Sequence, residues 1–512
     1  MNDSRTPAGW TEATIGDLVE SLQYGLTAKA DHALQGPRFL RITDLDSGTI
    51  DWSTVPGCVL SKSDVDKYRL LTDDIVFART GSIEKAARIV NPPDDAVFAS
   101  YLIRGRPVVR DVARWLGLFV GSVSYVNQAK GLSAGIGRAN VNAQNLARIR
   151  VALPPIFEQQ RIVEVVDSYL SRLDDATASL ERVQAKLKAY RASILKAGVE
   201  GRLVATEASL SRTENRSYEP AQALLARVLQ ERRDRWEEAE LAKLARKRTV
   251  PRDDKWKFNY MEPMSPDVSL LPQLPKGWCW ATIDQVCTKI TDGEHLSPRT
   301  TQSGVFLLSA KDTREHGVVF DDPKFVSAAD AQRFRKRCDP EKGDILMVSR
   351  GATVGRASVV QVDTMFCLMG SVILLKVHPL VSSDYLNFNL RSTAVKGQMT
   401  VLSGSTAQQA IYLRDLKTMP IALPPAPEQV RIAGQVSTAL SLADQCASES
   451  TRAARRALRL RQAILKWAFG GKLVDQDPND ESAKALLARI SSERAAVAAT
   501  EKSHSRKPRG AD

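Results

Sequence analysis

The sequence predicts an α+β chain in which two strand-rich domains alternate with two long helices that pack on each other. Three observations carry this. The run Ala152-Leu153-Pro154-Pro155-Ile156-Phe157-Glu158-Gln159-Gln160-Arg161-Ile162 returns as Ala422-Leu423-Pro424-Pro425-Ala426-Pro427-Glu428-Gln429-Val430-Arg431-Ile432, at an offset of 422 − 152 = 270. The offset holds for Ile194-Leu195-Lys196 against Ile464-Leu465-Lys466, and for Gly201-Arg202-Leu203-Val204 against Gly471-Lys472-Leu473-Val474. One unit is thus present twice, far longer than the ~20–50 residues of a solenoid repeat. The stretch after each run also carries apolar residues at steps alternating four and three.

Taken in order, residues 1–152 read as the first strand-rich domain. Pro7-Ala8-Gly9-Trp10 leads in, residues 38–42 and 74–79 read as short strands, residues 112–126 as helix, and 131–137 as a loop rich in glycine and serine. Residues 153–204 hold the first long helix. Paired prolines suit its first turn and Glu158 suits its positive end. Its seam is Ile162, Val166, Tyr169, Leu173, Ala176, Leu180, Val183, Leu187, Tyr190 and Ile194, a heptad spacing. Residues 205–270 form a connector, with a short helix beginning near Ala223, a charged helix-forming stretch at 227–248, and a proline-rich linker at 255–275.

Residues 271–422 repeat the first domain. Pro275-Lys276-Gly277-Trp278 answers Pro7 to Trp10 at 275 − 7 = 268, and residues 344–351 answer 74–81 at 270. Between these landmarks the copies diverge, as two recognition modules of different specificity would; plain divergence after duplication gives the same pattern. Residues 423–474 hold the second long helix, whose seam (Ile432, Val436, Ala439, Ala443, Cys446, Ser450, Ala453, Ala457, Leu460, Ile464) has a small middle. Large residues on one helix and small ones on the other suit mutual packing; two separate amphipathic helices, each lying on its own domain, are the simpler alternative. Residues 475–512 give a short helix and a basic tail from Ser503 that reads as disordered.

Composition narrows the function. The chain has 512 residues, 43% of them hydrophobic, and a net charge of +13. No apolar run reaches membrane-spanning length. The six cysteines include no CxxC pair and the five histidines are scattered, which argues against a zinc site or a disulfide framework and for a cytoplasmic setting. The positive balance favours a polyanionic partner, nucleic acid first, although solvated helix faces supply such a total too. Asn91-Pro92-Pro93-Asp94 resembles the Asn-Pro-Pro-aromatic motif of amino-methyltransferases, but Asp94 replaces the aromatic and no glycine-rich cofactor turn precedes it, so a proline turn between strands is expected. Gly351 to Arg356 lacks the P-loop pattern. No catalytic residues and no metal ligands are expected in this chain.

Two variable strand-rich domains, each followed by a repeated Leu-Pro-Pro-x-x-Glu-Gln-x-Arg-Ile helix, resemble the specificity subunit of type I restriction-modification systems over nearly the whole chain. The strand ends at Asp74 to Gly81 and Asp344 to Gly351, and the Gly-Trp pairs at 9–10 and 277–278, also resemble that family; Asp73 stands where the family has glycine. The resemblance implies a non-catalytic subunit with a target recognition domain in each strand-rich region. Its long helices would pair as an antiparallel coiled coil, pseudo-twofold by internal duplication. It also implies a bipartite, gapped and asymmetric double-stranded DNA target, two modification (methyltransferase) subunits, and restriction subunits that translocate and cut. S-adenosylmethionine, ATP and Mg then belong to those partners, with no cofactor here.

Loop position and side-chain type nominate Tyr24, Thr27, Lys29, Arg41, Arg79, Lys85, Arg138 and Asn140 in the first domain for DNA contact. They nominate His295, Arg299, Lys311, Arg350, Arg356, Gln408 and Gln409 in the second. Each is otherwise an ordinary surface residue, and His295 reads first as a loop hydrogen-bonder. The outward helix face is expected to dock the modification subunits, through Glu158, Gln159 and Arg161 and their copies Glu428, Gln429 and Arg431. The rivals are a stand-alone adenine methyltransferase or nuclease, a coiled-coil scaffold that reads no sequence, and an RNA-binding module, which the 6% aromatic content and the absence of a stacking motif disfavour.

Overall fold

The computed structural model describes residues 7–45, 50–133, 139–249, 251, 253–296, 298–402 and 410–505. They form a mixed helix-and-sheet protein that divides into two compact units, residues 1–181 with 451–512, and residues 182–450. Both divisions fall inside a long helix, Ile156–Val199 and Ala426–Ala468. The units therefore do not follow the sequence blocks, because each takes half of each helix.

Each unit is built on the same four-stranded antiparallel sheet. In the first the order is Val19–Tyr24, Leu102–Pro107, Ile75–Ala78, Ala86–Arg88. In the second it is Cys287–Asp292, Val372–Val377, Ile345–Val348, Ala357–Val359. The central strands are buried along their length, which is why Ile-Val-Phe-Ala and Ile-Leu-Met-Val read as unbroken apolar runs. A two-stranded ribbon closes each domain onto its helix. Thr11–Thr14 pairs with Arg150–Leu153, and Cys279–Thr282 with Pro420–Leu423, so the chain leaves the ribbon through the paired prolines.

Several expectations change in detail. The helix expected over 112–126 is two, Asp111–Val120 and Val123–Gly131, broken where Ser122 caps the second. Residues 38–42 give only Phe39–Leu40 before a 3₁₀ turn. The helices expected to be short run Ala221–Arg246 and Ala483–Ser505, the latter past Ser503. Leu224 and Val228, like Leu486 and Ile490, bury the opening turns of each helix on its domain. The proline motif at 91–94 is a turn between strands, with Asn91 at φ +44°. The loop at 134–137 lies outside the described residues.

The heptad seam is only partly buried. Tyr169, Val183 and Tyr190 are 44%, 42% and 45% exposed, and Cys446 and Leu460 are exposed too. The buried stripes step by four near the helix starts, through Ile162, Val166 and Leu170, and through Ile432, Val436 and Leu440. There each helix packs on a globular core, which takes a broader face than a single partner helix does. In the first unit Ile162, Val166 and Leu170 share a cluster with Leu465 and Ala468, and Asp174 pairs with Arg461 at 2.7 Å. In the second, Leu195 shares a cluster with Ile432, Val436 and Leu440, and Arg191 pairs with Asp444 at 2.6 Å.

Candidate nucleic-acid interface

The outer end of each sheet carries the polar groups that face solvent. In the first unit Tyr24 ends the strand Val19–Tyr24 opposite Ile103. The Arg79 guanidinium lies 4.8 Å from its ring centroid, and its hydroxyl accepts a hydrogen bond from the Ala143 backbone N–H at 2.9 Å. Asn140 bridges to Thr80, and the Val141 N–H donates to the Arg79 carbonyl at 2.8 Å. Tyr24, Arg79 and Asn140 thus meet in one cluster. Within it Arg79 Nε and Asn140 Oδ1 are buried with no hydrogen-bond partner among the described residues. Such groups are costly unless something satisfies them. Thr27 and Lys29 are exposed on the loop that follows, with Thr27 bonded to Ser100 at 3.1 Å. Lys85 is half-buried in the turn between two strands.

In the second unit the strand Cys287–Asp292 ends at Asp292, opposite Ile373. Since 373 − 103 = 270, Asp292 occupies the place that Tyr24 holds in the first. A cleft of about 520 Å³ opens beside it, lined by Asp292, Arg350, Gly370, Tyr412 and Arg414 among others. Arg350 is exposed and bridges to Ala410 as Thr80 bridges to Asn140. Tyr412 is 53% exposed, with the Arg414 guanidinium 5.6 Å from its ring. Arg414 also pairs with Asp415 at 3.3 Å, and an arginine beside an exposed aromatic suits a nucleic-acid surface.

Other nominated residues are engaged within the fold. Arg41 makes a two-pronged pair with Asp44 at 2.9 and 3.1 Å, three residues on. Lys311 holds Asp322 at 3.0 Å, Arg356 donates to the Thr313 carbonyl at 3.2 Å, and His295 Nε2 meets Asp292 at 2.9 Å, beside Arg337. Arg299 is exposed on its loop. Arg138, Gln408 and Gln409 lie outside the described residues. Sequence reasoning missed Tyr412, Arg414, Asp292 and Arg337. The 270 offset pointed to the first of these, since Tyr412 lies where the copy has Asn142, two residues beyond Asn140.

The repeated helix-start motif faces inward, which corrects its expected place on an outward face. Glu158, Gln159, Glu428 and Gln429 are at most 1% exposed. Glu428 accepts the Trp278 indole N–H at 3.0 Å on Oε1 and the Glu207 backbone N–H at 2.8 Å on Oε2. Gln429 donates to the Pro424 carbonyl at 2.8 Å and accepts from the Ser382 N–H at 2.9 Å. Gln159 likewise donates to Pro154 at 2.8 Å. Arg431 pairs with Glu207, and Arg161 pairs with Asp480 at 2.7 Å. The polar residues need to be polar because the turn out of the ribbon leaves buried backbone groups that only these side chains reach.

The other repeated landmarks arrive at the same place. Gly201, at φ +68°, ends the first long helix under Pro275 and Trp278; Gly471, at φ +62°, ends the second under Pro7 and Trp10. A Cβ there would lie 2.6 Å from Pro275 Cγ, or 2.5 Å from Pro7 Cγ. The Ala221 N–H donates to the Gly277 carbonyl at 2.8 Å, and the Ala483 N–H to the Gly9 carbonyl at 2.9 Å. Among the described residues no group of three or more His, Cys, Asp or Glu side chains is placed to hold a metal, and no helix is long and apolar enough to cross a membrane.

A family model described as the type I restriction modification DNA specificity domain matches residues 7–189 and 275–443. The chain is 23% identical to the type I restriction enzyme EcoKI specificity subunit of Escherichia coli K12, covering 97% of this chain and 98% of that one. Against the EcoDI specificity subunit of Escherichia coli the identity is again 23%, over 97% and 98%. Among solved structures, one described as the structural basis of complex assembly and conformational transition of the type I R-M system aligns at TM-score 0.61. It shares 19% identity and covers 91% of this chain and 99% of that one. The HsdS subunit from Thermoanaerobacter tengcongensis aligns at 0.50, with 18% identity over 92% and 99%. With its two matched regions falling on the two sheet domains and the helices that leave them, the chain belongs to the type I restriction-modification specificity family, and it is a specificity subunit.

Proposed function

We propose that each sheet domain reads one half of a bipartite, gapped double-stranded DNA target, and that the two halves differ. The observation that carries this is the shared outer end of the two sheets. The same strand position presents Tyr24 under Arg79 in one domain, and Asp292 between His295 and Arg337 in the other. A common scaffold with different donors and acceptors is what unequal half-sites require.

The long helices act as an antiparallel coiled coil that joins the two readers. Supporting this, each unit taken by itself holds one ion pair between its parts of the two helices, Asp174 with Arg461 and Arg191 with Asp444. Each residue of one pair also lies 270 from its counterpart in the other, as pseudo-twofold duplication demands. The chain itself is non-catalytic and cytoplasmic. Two modification subunits bring S-adenosylmethionine, and restriction subunits bring ATP, Mg and cleavage. Their docking surface lies away from the Glu-Gln motif, whose side chains are buried inside the fold.

Single-molecule mapping of adenine methylation in source-cell DNA, with and without this gene, tests the reading. A split motif that vanishes on deletion is expected, and replacing residues 1–152 with another such domain should change one half of it. A continuous motif, or a motif untouched by the replacement, would favour a scaffold that reads no sequence.

A further inference from the structure

The second long helix carries Arg452, Arg455, Arg456, Arg459 and Arg461 within ten residues, with no acidic residue from 450 to 474. Arg461 is held by Asp174. Arg455, Arg456 and Arg459 are exposed and make no ion pair among the described residues. In the antiparallel register proposed above, residues 176–180 of the first helix, Ala-Thr-Ala-Ser-Leu, fall level with these three arginines. That stretch offers no carboxylate. Arg455 and Arg459, and Arg452 and Arg456, are like charges at i,i+4, a spacing that disfavours the helix. Arg455, Arg456 and Arg459 bring the fold no ion pair among the described residues to offset that repulsion.

A basic helix face is usually just solvated, and it then carries acids interspersed to relieve the repulsion, as the connector helix Ala221–Arg246 does with Glu231, Glu237 and Glu240. Here they are missing. Considered by itself, the corresponding stretch of the first long helix carries exposed Lys186 and Lys188, again without ion pairs among the described residues. A tight protein interface is depleted of charge at its centre and anchored by aromatic or apolar groups, whereas this face offers mainly guanidinium, with Leu458 its one large exposed apolar neighbour between 452 and 459. From Arg455 to Arg459 the helix rises about 6 Å, close to the spacing of two phosphates along one DNA strand.

We propose that Arg455, Arg456 and Arg459 bind the phosphate backbone of the duplex between the two half-sites, without reading its sequence. This rests on the bipartite reading above. It makes the gap a contacted segment whose bases are free to vary while its phosphates are not.

The test uses the full chain assembled with its modification subunits, and compares R455Q/R456Q/R459Q with R455K/R456K/R459K and wild type on a duplex bearing the mapped target. Log affinity falls with log salt by about 0.9 for each phosphate neutralised. The glutamine variant should show a slope shallower by up to about 2.7, weaker binding at low salt, and an unchanged methylated motif. The lysine variant should keep the wild-type slope. Neutral methylphosphonate linkages placed only in the gap should flatten the wild-type slope and leave the glutamine variant unaltered. An unchanged slope in the glutamine variant overturns the proposal. So does loss of modification-subunit binding with the slope intact, which would mark the face as a dock for an acidic protein. If the wild-type complex shows no preference for a split target, the bipartite reading itself fails, and that result is read before any variant is compared.

Discussion

The two junctions where ribbon, helix start and helix end meet use the same residues but not the same bonds. In the second unit every polar atom of the Glu-Gln pair is matched, with both oxygens of Glu428 and both ends of Gln429 in use. In the first, Trp10 Nε1, Glu158 Oε1 and Gln159 Oε1 are buried without a close hydrogen bond among the described residues. The difference lies in what surrounds the motif. Ser382 supplies a backbone donor to Gln429, while the corresponding position is Val112, whose N–H is used on the Val109 carbonyl. A repeated sequence thus marks a repeated place, while the strength of the joint depends on neighbours that were not repeated.

The comparison breaks first at the glycines, where the junctions should behave alike. Replacing Gly201 or Gly471 with alanine forces a Cβ into a proline ring at a left-handed backbone angle. Each should cost about 2–4 kcal/mol, measured by urea unfolding with hydrogen exchange to localise the loss. A cost at only one glycine would mean that the two close approaches are not equivalent.

The carboxylates should then separate the junctions. Glu428→Gln offers one acceptor to two donors, so it should destabilise the second unit by about 1–3 kcal/mol. Glu158→Gln should cost less, about 1 kcal/mol, since the Trp10 indole and Gln476 approach its carboxylate only beyond close hydrogen-bond distance. Equal losses would contradict the bonding described.

Acid should reveal opposite signs within the second junction. Burial pushes the Glu428 carboxyl above the ordinary range, so its charged form costs stability at neutral pH, and acidification toward the ordinary range relieves that cost. Burial also pushes Glu207 upward, but Arg216 and Arg431 together outweigh it and hold Glu207 below its ordinary value. Its contribution is therefore full above the ordinary range and is lost as pH falls through the depressed value. Stability against pH for Glu207→Gln should lack that last acid-side fall.

The smallest effect is expected at the turn before the second sheet strand of sequence. Gly343 sits there at φ +89° and its counterpart Asp73 at φ +79°, held by Arg88 at 2.7 Å. Asp73→Gly should relieve the backbone and lose the half-buried ion pair, for a net change within about 1 kcal/mol. A larger loss would show that the ion pair matters more than the backbone strain.

Much of the fold was legible because apolar runs and the 270-residue offset report burial and repetition directly. The interface was less so. Arg41 and His295 were nominated as readers of DNA, although Asp44 and Asp292, each three residues away, already hold them; that spacing was itself a warning. The Glu-Gln motif was expected on the outward helix face because it is repeated, when the buried turn behind the prolines needs acceptors and donors. The 270 offset aligns Thr80 with Arg350, and the bridges of Thr80 to Asn140 and of Arg350 to Ala410 keep that alignment.

The helix-end glycines also carry a consequence for how the chain comes to be made. Gly201 precedes Trp278 by 77 residues, whereas Gly471 follows Trp10 by 461. Closing the longer loop costs only about 1.6 kcal/mol more, but synthesis at roughly 5–20 residues per second separates Trp10 from Gly471 by about 20–90 s. Throughout that interval Trp115 and Phe119 lack Phe469, whose ring in the finished protein lies tilted against Trp115 at 4.4 Å and edge-on to Phe119 at 5.6 Å. The first domain to leave the ribosome is the last to be covered. Its aromatic seat is the surface that a nascent-chain chaperone would meet.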